Sequence, residues 1–401
     1  MPGPSGARRY VIVGNSAAGL AALRAIRALD DAGQVTLVAA EARLAYSRVL
    51  LTPFIAGRLP EEALYLADAG EYRRLRAELL SGVAAAALDV SRREVMLDDG
   101  RVLPYDALLL ATGACAVFPR GTPVGLTGIQ GLRTLEDARA IREAVARRRR
   151  VAVIGAGPVG LKLTCALCEA GAPPDVVVAS SHILSQVADG EAAAIVQAHL
   201  GRYGVLFHLD AAVQGLVEGA DGLEALGLTD GSGLPCGLAV YCKGAEPAVA
   251  LAAGQVETGV GVCVDDAMRT SAEGVYTAGD VAEVWDVVAC RRCVGAIWPH
   301  AVAQGRVAGT NMAGGDARFR GGLQRNAADV LGLPFVSMGQ VRVRYEDGCD
   351  AVVERTGRRY RKLVLREGRL VGAVLVGDVS EAGRLQAAIR KDEVRACEVQ
   401  A

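Results

Sequence analysis

Twice in this chain a short aliphatic run ends in a glycine-rich turn that opens an Ala/Leu-rich stretch. Tyr10 to Val13 leads into Gly14-Asn15-Ser16-Ala17-Ala18-Gly19, and Val151 to Ile154 into Gly155-Ala156-Gly157-Pro158-Val159-Gly160. A buried strand that ends in such a turn and feeds a helix aims backbone N–H groups and the positive helix end at a pyrophosphate. One such pattern is weak; a pair, each with its strand before and helix after, predicts two dinucleotide sites. At 401 residues, 51% of them hydrophobic, the chain is long enough for two or three buried cores.

Around the first turn the pattern predicts a helix from Ala17 to Leu29 and a strand from Val35 to Ala39. Glu41 follows about 20 positions after Gly19, near where a dinucleotide fold places the carboxylate that takes the ribose hydroxyls; the bland reading is a solvated loop acid. A helical stretch is expected near residues 61–80, then short strands from Val83 to Leu88 and Glu94 to Leu97, with Asp98-Asp99-Gly100 as a hairpin turn between Val95 and Val102. Tyr105 to Leu110 reads as a buried strand ending in the small-residue turn Ala111-Thr112-Gly113. The second unit continues through Val176 to Val178 and a helix from Glu191 to Tyr203, and ends near Cys242. Thr270 to Asp280 reads as a strand ending in Gly279-Asp280, which brings a carboxylate to the end of a sheet and to the N-terminus of the next helix, where it can accept hydrogen bonds from a polyol. From about Arg320 the pattern becomes alternating: strands at Val341 to Tyr345 and Tyr360 to Leu365, a turn at Glu367-Gly368, a strand at Leu370 to Val376, and a final helix from Glu381 to Arg390. The expected class is α/β, with two Rossmann-like dinucleotide-binding domains and a C-terminal α+β domain. Residues 1–118 and 243–319 would form the first domain in two segments, 119–242 the second, and 320–401 the C-terminal one.

Lys plus Arg number 44 against 45 acids, which gives no reason to invoke nucleic acid or an anionic membrane as partner. Arg8 and Arg9 before an apolar run superficially suggest a signal peptide. That run, however, contains the glycine turn and continues into Arg24 and Arg27, so it reads as a first strand and helix. With no other apolar run of about 18 residues, no membrane span is expected and the location is taken as cytoplasmic. Ten cysteines are then reduced thiols rather than a disulfide framework. Cys165 and Cys168 share a helix face and read as core packing. Cys290-Arg291-Arg292-Cys293 has redox or metal-type spacing, but no second pair stands nearby to complete a metal site, and no metal is expected. Arg147 to Arg150 sit where a helix C-terminus favours cations, as a solvated face or a docking patch.

With these motifs in place, nearly the whole chain resembles the FAD-dependent pyridine nucleotide-disulfide oxidoreductase superfamily. The branch it resembles includes rubredoxin and ferredoxin reductases and the flavin module of nitrite reductase. The resemblance is carried by the Gly14 and Gly155 turns, Ala111-Thr112-Gly113, Lys243 to Pro247 and Thr270 to Asp280. It implies FAD on Gly14, Ser16, Ala17, Ala18, Gly19, Glu41, Ala111, Thr112, Gly113, Gly279 and Asp280, and NAD(P)H on Gly155, Gly157, Pro158, Val159 and Gly160. Ala45 to Thr52 resembles that branch's flavin-contacting segment, which makes Tyr46 and Arg48 candidates near the ring. Ala296 to Ala301 resembles the stretch against the isoalloxazine, which adds Trp298 and His300; a core anchor and a satisfied helix-start histidine are their bland readings.

Departures from the family are informative. Its disulfide reductases carry a redox cysteine in the region that here runs from Tyr46 to Pro53, where none is present. Ferredoxin reductases place a Lys and a Glu where this chain has Pro53 and Lys162, so Lys162 is either a relocated charge near the flavin or a surface helix lysine. The stretch Ala179-Ser180-Ser181-His182 after the second unit's inner strand holds neither the acid that favours NADH nor the Arg that favours NADPH, and NADH is favoured on resemblance alone. The implied activity is an FAD-dependent NAD(P)H oxidoreductase passing electrons to a small redox protein or a separate reductase subunit. A homo-oligomer or hetero-complex is compatible with it. Two rivals stand: a disulfide, persulfide or peroxide reductase using Cys290 and Cys293, and a non-catalytic flavoprotein subunit of a larger complex.

Overall fold

Tyr10 and Ile12 point into one core and Val11 and Val13 into another, and all four are buried. A strand buried on both faces needs no polar alternation, which is why this one reads as a continuous apolar run. The structure, a computed structural model, describes residues 6–343 and 348–400. They group into two units, one made of the residues up to Ser47 with Glu62–Cys115 and Pro247–Gly322, the other of Arg48–Glu61, Ala116–Glu246 and the residues from Leu323 on.

In the first unit Arg9–Val13 is the middle strand of a five-stranded sheet, flanked by Gln34–Ala39 and Ala77–Ser81 on one side and by Ala107–Leu110 and Val275–Thr277 on the other. Every pairing is parallel. Chain order reverses between Arg9–Val13 and Ala107–Leu110, so the carboxyl ends of these strands form the crevice where such sheets bind ligands. One face is covered by helices Ala17–Leu29 and Trp298–Met312. A Cβ on Gly305 would lie 2.2 Å from the Ala18 carbonyl oxygen, and one on Gly309 2.4 Å from that of Ala22. The helices therefore touch backbone to backbone and run the same way, the first turn of Ala17–Leu29 level with Gly305 in the middle of Trp298–Met312. The other face carries the antiparallel strands Ala85–Asp89, Glu94–Leu97 and Val102–Pro104, with the hairpin turn expected at Asp98 to Gly100.

The second unit repeats the plan. Val151–Ile154 is the middle of a parallel sheet, between Asp175–Val177 and Leu238–Tyr241, with Leu206–His208 and Ile129–Gln130 at the edges. Helix Pro158–Glu169 buries Leu161, Leu163, Cys165 and Leu167, and helix Gly190–Gly201 follows. The Cys165 and Cys168 thiols are pushed up by burial to about 12 and about 11, as core thiols should be. Arg147 caps helix Leu135–Ala146 and pairs with Glu143 one turn back at 2.6 Å. The same unit contains an antiparallel sheet of Arg325–Val330, Leu333–Gly339, Arg369–Val376, Arg359–Arg366 and Cys349–Thr356, with helix Ala382–Gln400 against it through Leu385 and Ile389. Asp189, the N-cap of Gly190–Gly201, accepts from Tyr360 Oη and Lys362 Nζ of this sheet, each at 2.7 Å. Burial pushes the Asp189 carboxyl up, but the Lys362 ammonium, the Ala192 N–H and the Tyr360 hydroxyl together hold it below the usual carboxylate range.

Three sequence expectations are corrected. Residues 61–80 do not form one helical stretch: they hold a 3₁₀ turn at Glu61–Leu64, a short helix Ala69–Arg74 and the strand Ala77–Ser81. Ala77-Glu78-Leu79-Leu80 is rich in helix formers, yet pairing with Gln34–Ala39 outweighs a propensity of a few tenths of a kcal/mol per residue, roughly. Val341 to Val343 lie outside any strand because Gly339, at φ +64°, turns the chain out of the ladder; Arg344 and Tyr345 fall outside the described residues. Asp280 is followed by the strand Ala282–Asp286, not by a helix.

Candidate functional site

In the first unit, three strand ends and two helix starts converge on the Gly14 turn. Gly14, at φ +120°, donates its N–H to Val38 O at 2.8 Å, and Ala111 N–H donates to Val13 O at 2.8 Å. A Cβ on Gly14 would lie 2.1 Å from the Ala111 carbonyl oxygen and one on Gly19 1.9 Å from that of Gly14, so glycine is obligatory at both. Ala17 and Ala18 form the first helical turn with Ser16 as N-cap. Gly279 closes the cradle: a Cβ there would meet Ala18 Cβ at 3.3 Å and Ala301 Cβ at 3.8 Å, which sets it against the first turn of each helix although a strand, not a helix, comes directly after Asp280. Thr112 Oγ1 donates to Ala248 O at 2.9 Å, and Gly113 O accepts from Ala248 N–H at 2.9 Å.

The second turn is built alike. Gly155, at φ +109°, donates to Val177 O at 2.9 Å, and a Cβ on it would sit 2.7 Å from Cys242 O. Gly160 faces the Gly155 carbonyl, and Gly157 is the helix N-cap with Pro158 behind it in the first turn. A Cβ on Gly157 meets nothing within 4 Å. Val159 in the same turn stands exposed.

Capping chemistry separates these helices from Leu135–Ala146 and Gly190–Gly201, although the five-residue Leu51–Ile55 also starts without a side-chain cap or an acid. Helices Leu135–Ala146 and Gly190–Gly201 have side-chain caps, Thr134 and Asp189, and acids in the first turn. Ala17–Leu29, Pro158–Glu169 and Trp298–Met312 have no side-chain cap hydrogen bond and no acid there. A helix start with neither a capping side chain nor a first-turn acid leaves N–H groups and a positive dipole end that suit an anionic ligand. In the first unit, Thr277 Oγ1 and Gln304 Nε2 are also buried without a hydrogen-bond partner, beside the Gly279 N–H that donates to Gln304 Oε1 at 2.8 Å. Both turns fit a dinucleotide.

The remaining candidates divide by unit. Tyr46 is buried and donates to Glu41 Oε2 at 2.6 Å, which orients that carboxylate just past the second strand. Trp298 opens its helix and packs on the core, while His300 Nδ1–H donates to Gly295 O at 3.3 Å, and the ring lies edge-on to Phe319 and backs onto Gly322. Arg48, in the second unit, donates to the Arg133 carbonyl. Lys162 is half-buried, burial lowers its ammonium pKa, and no carboxylate among the described residues pairs with it. Thr277 fell within the Thr270 to Asp280 stretch without a role of its own, and Gln304, Gly305 and Gly309 were not singled out; the signal for the two glycines is their four-residue spacing in an otherwise ordinary helix.

Two parallel sheets, each with its middle strand ending in a glycine turn over an uncapped helix, define an oxidoreductase of the two-dinucleotide type. The chain belongs to the pyridine nucleotide-disulphide oxidoreductase family, whose model matches residues 8–305, and residues 326–393 match the rubredoxin NAD+ reductase C-terminal domain. It is an FAD-dependent NAD(P)H oxidoreductase. It is 32% identical to NADH-dependent phenylglyoxylate dehydrogenase subunit epsilon of Aromatoleum evansii, over 94% of this chain and 90% of that one. It is 28% identical to nitrite reductase [NAD(P)H] of Bacillus subtilis, over 96% of this chain but only 48% of that protein. A solved chain from the covalent putidaredoxin reductase–putidaredoxin complex superposes with a TM-score of 0.86 at 25% identity, covering 96% of this chain and 92% of that one.

Proposed function

We propose that the first unit holds FAD with its pyrophosphate at the Gly14 turn and the N-terminal end of helix Ala17–Leu29, beside the first turn of Trp298–Met312. Gly14, Ser16, Ala17, Ala18 and Gly19 line it, Ala111, Thr112 and Gly113 border it, and Gly279-Asp280 take the ribityl chain. Glu41, steadied by Tyr46, takes the adenosine ribose, and Trp298 and His300 are this unit's ring-side candidates. In the second unit Gly155, Gly157, Pro158, Val159 and Gly160 hold NAD(P)H, and Lys162 on the same helix places positive charge toward that nucleotide. Arg48 stays a candidate through its segment alone. The corresponding division is residues 1–118 and 243–319 for the flavin, 119–242 for the nicotinamide and 320–401 for the C-terminal α+β part. Bound there, FAD would supply two-electron acceptance from a nicotinamide and one-electron release to a carrier.

The observation that carries this reading is the set of three uncapped, acid-free helix starts at two glycine cradles. The electrons go to a separate carrier, a small redox protein or another subunit, as the names of the relatives suggest. Among the described residues no helix is long and apolar enough to cross a membrane, and the cysteines from Cys115 to Cys349 are free thiols, which supports a cytoplasmic site of action. Anaerobic stopped flow checks the reading: NADH or NADPH should bleach the flavin, and a one-electron dye should reoxidise it. A flavin that neither nucleotide bleaches would make the chain a non-catalytic subunit.

The dithiol rival has less support. Cys290 Sγ lies 3.7 Å from Val287 O, and Cys293 Sγ 3.7 Å from Asp286 Oδ2, whose Oδ1 accepts from the N–H groups of Val288 and Ala289. Both thiols hold the hairpin between Ala282–Asp286 and Arg291–Val294. Replacing both by Ser should leave dye reduction within about twofold of the parent, since their contacts with Val287 and Asp286 lie within the hairpin; abolished turnover with FAD still bound would restore the rival. Asp280→Ala should weaken flavin retention by about 1.5 to 3 kcal/mol through loss of a charge-assisted hydrogen bond. Flavin content after dialysis measures it, and parent-like retention removes Asp280 from the site.

A further inference from the structure

The corner that reads the adenosine ribose of the second nucleotide has a cation that the local sequence does not contain. A dinucleotide fold decides between ribose 2′-hydroxyl and 2′-phosphate at the end of the strand after the glycine turn, here Asp175–Val177. The loop that follows folds back on the turn: Leu184, at φ +56°, donates its N–H to Ala156 O at 2.8 Å. Its neighbour Ser185 therefore stands beside the phosphate cradle. Ser180 Oγ donates to His182 O at 2.9 Å and meets Ser185 Oγ at 3.2 Å, which draws both ends of the loop into one small polar corner. Residues 179–182 contain no acid to repel a phosphate.

Arg342, far along the chain in the same unit, reaches this corner. Its Nε and Nη2 donate to the Ser185 carbonyl oxygen at 3.1 and 2.5 Å, its own carbonyl is held by Gln340 Nε2 at 3.2 Å, and no carboxylate among the described residues pairs with its guanidinium. The loop's far end is fixed by the same sheet region, through Tyr360 and Lys362 on Asp189. We propose that Arg342 and the Ser180–Ser185 corner form a 2′-phosphate subsite that sets the nicotinamide preference toward NADPH. This rests on the reading of the Gly155 turn as the nicotinamide site. Beyond its two bonds to Ser185 O, the guanidinium keeps its Nη1 donors and its fixed charge for a dianionic ester that NADH lacks.

The test uses the FAD-loaded full chain and two fragments that carry no nicotinamide, 2′,5′-ADP and 5′-AMP, titrated by calorimetry. The parent should bind 2′,5′-ADP about tenfold or more tighter than 5′-AMP, and Arg342→Ala should collapse that ratio toward one, with Arg342→Lys between them. In steady state the NADPH-to-NADH ratio of kcat/KM should fall about tenfold in Arg342→Ala. Equal binding of the fragments by the parent, or a ratio unmoved by Arg342→Ala, overturns the subsite while flavin bleaching by either nucleotide keeps the nicotinamide site. Failure of both fragments to bind, together with no bleaching by NADH or NADPH, overturns the subsite and the nicotinamide site together.

Discussion

Gly157→Val should give a protein that stays yellow, fails to bleach with NADH or NADPH, and still bleaches with dithionite. The argument is geometric. A Cβ at Gly157 meets no protein atom within 4 Å, so the substitution costs the fold little, and φ is −74°, which any L-residue adopts. The open space it would fill is that of the pyrophosphate, against the N-terminus of helix Pro158–Glu169. Gly155 and Gly160 could not serve for this test, because Cβ atoms there would run into Cys242 O and Gly155 O at 2.7 and 2.0 Å and disturb the unit itself. Loss of reduction by nicotinamide of at least about 100-fold is expected, equivalent to about 2.7 kcal/mol of binding. A variant that bleaches as fast as the parent would show that the Gly155 turn is not where NAD(P)H binds.

What could be read in the sequence follows from how local each signal is. The strand-turn-helix units at Gly14 and Gly155 carry their whole meaning within about 20 residues, and helix Ala17–Leu29 is found with the bounds expected of it. The hairpin around Gly100 and the strands Arg359–Arg366 and Arg369–Val376 are likewise specified by adjacent residues. Ala77–Ser81 was read as helical because its residues favour a helix, and only the neighbouring strand Gln34–Ala39 makes it a strand. Val341 to Val343, the described part of another expected strand, leave the ladder for a related reason: perfect alternation predicts a pleat, but one left-handed glycine ahead of them redirects the chain.

The candidate site shows the same division. The glycines, the Ala111-Thr112-Gly113 turn and Gly279 were legible because each answers to a backbone approach or a strand end. The bond from Tyr46 to Glu41 was not, although both residues had been named, since spacing alone does not say which hydroxyl meets which carboxylate. Arg342 could not have been placed beside Ser185 from any local pattern; its position is a property of the tertiary fold. The roles of Gly305 and Gly309 were equally hidden, because a glycine in a helix reads as a defect until the neighbouring backbone is seen.

Those two glycines yield the second large effect. Gly305→Ala would ordinarily stabilise a helix by about 1 kcal/mol. Here the added Cβ would lie 2.2 Å from Ala18 O and 2.8 Å from Ala18 Cα, and both atoms are backbone that no rotamer change can clear. Overpacking of a rigid contact costs about 1 to 3 kcal/mol, so the sign reverses. The damage also falls on function, since Ala18 is the residue Gly279 abuts, and pushing the helices apart opens the cradle below Asp280. Gly305→Ala should therefore lower the thermal midpoint and release FAD on dialysis. Gly201→Ala, in a helix where a Cβ meets nothing within 4 Å, should be neutral or stabilising by a few tenths of a kcal/mol, roughly. If Gly305→Ala keeps its flavin and melts no lower than Gly201→Ala, the close helix crossing is not what holds the first cradle together.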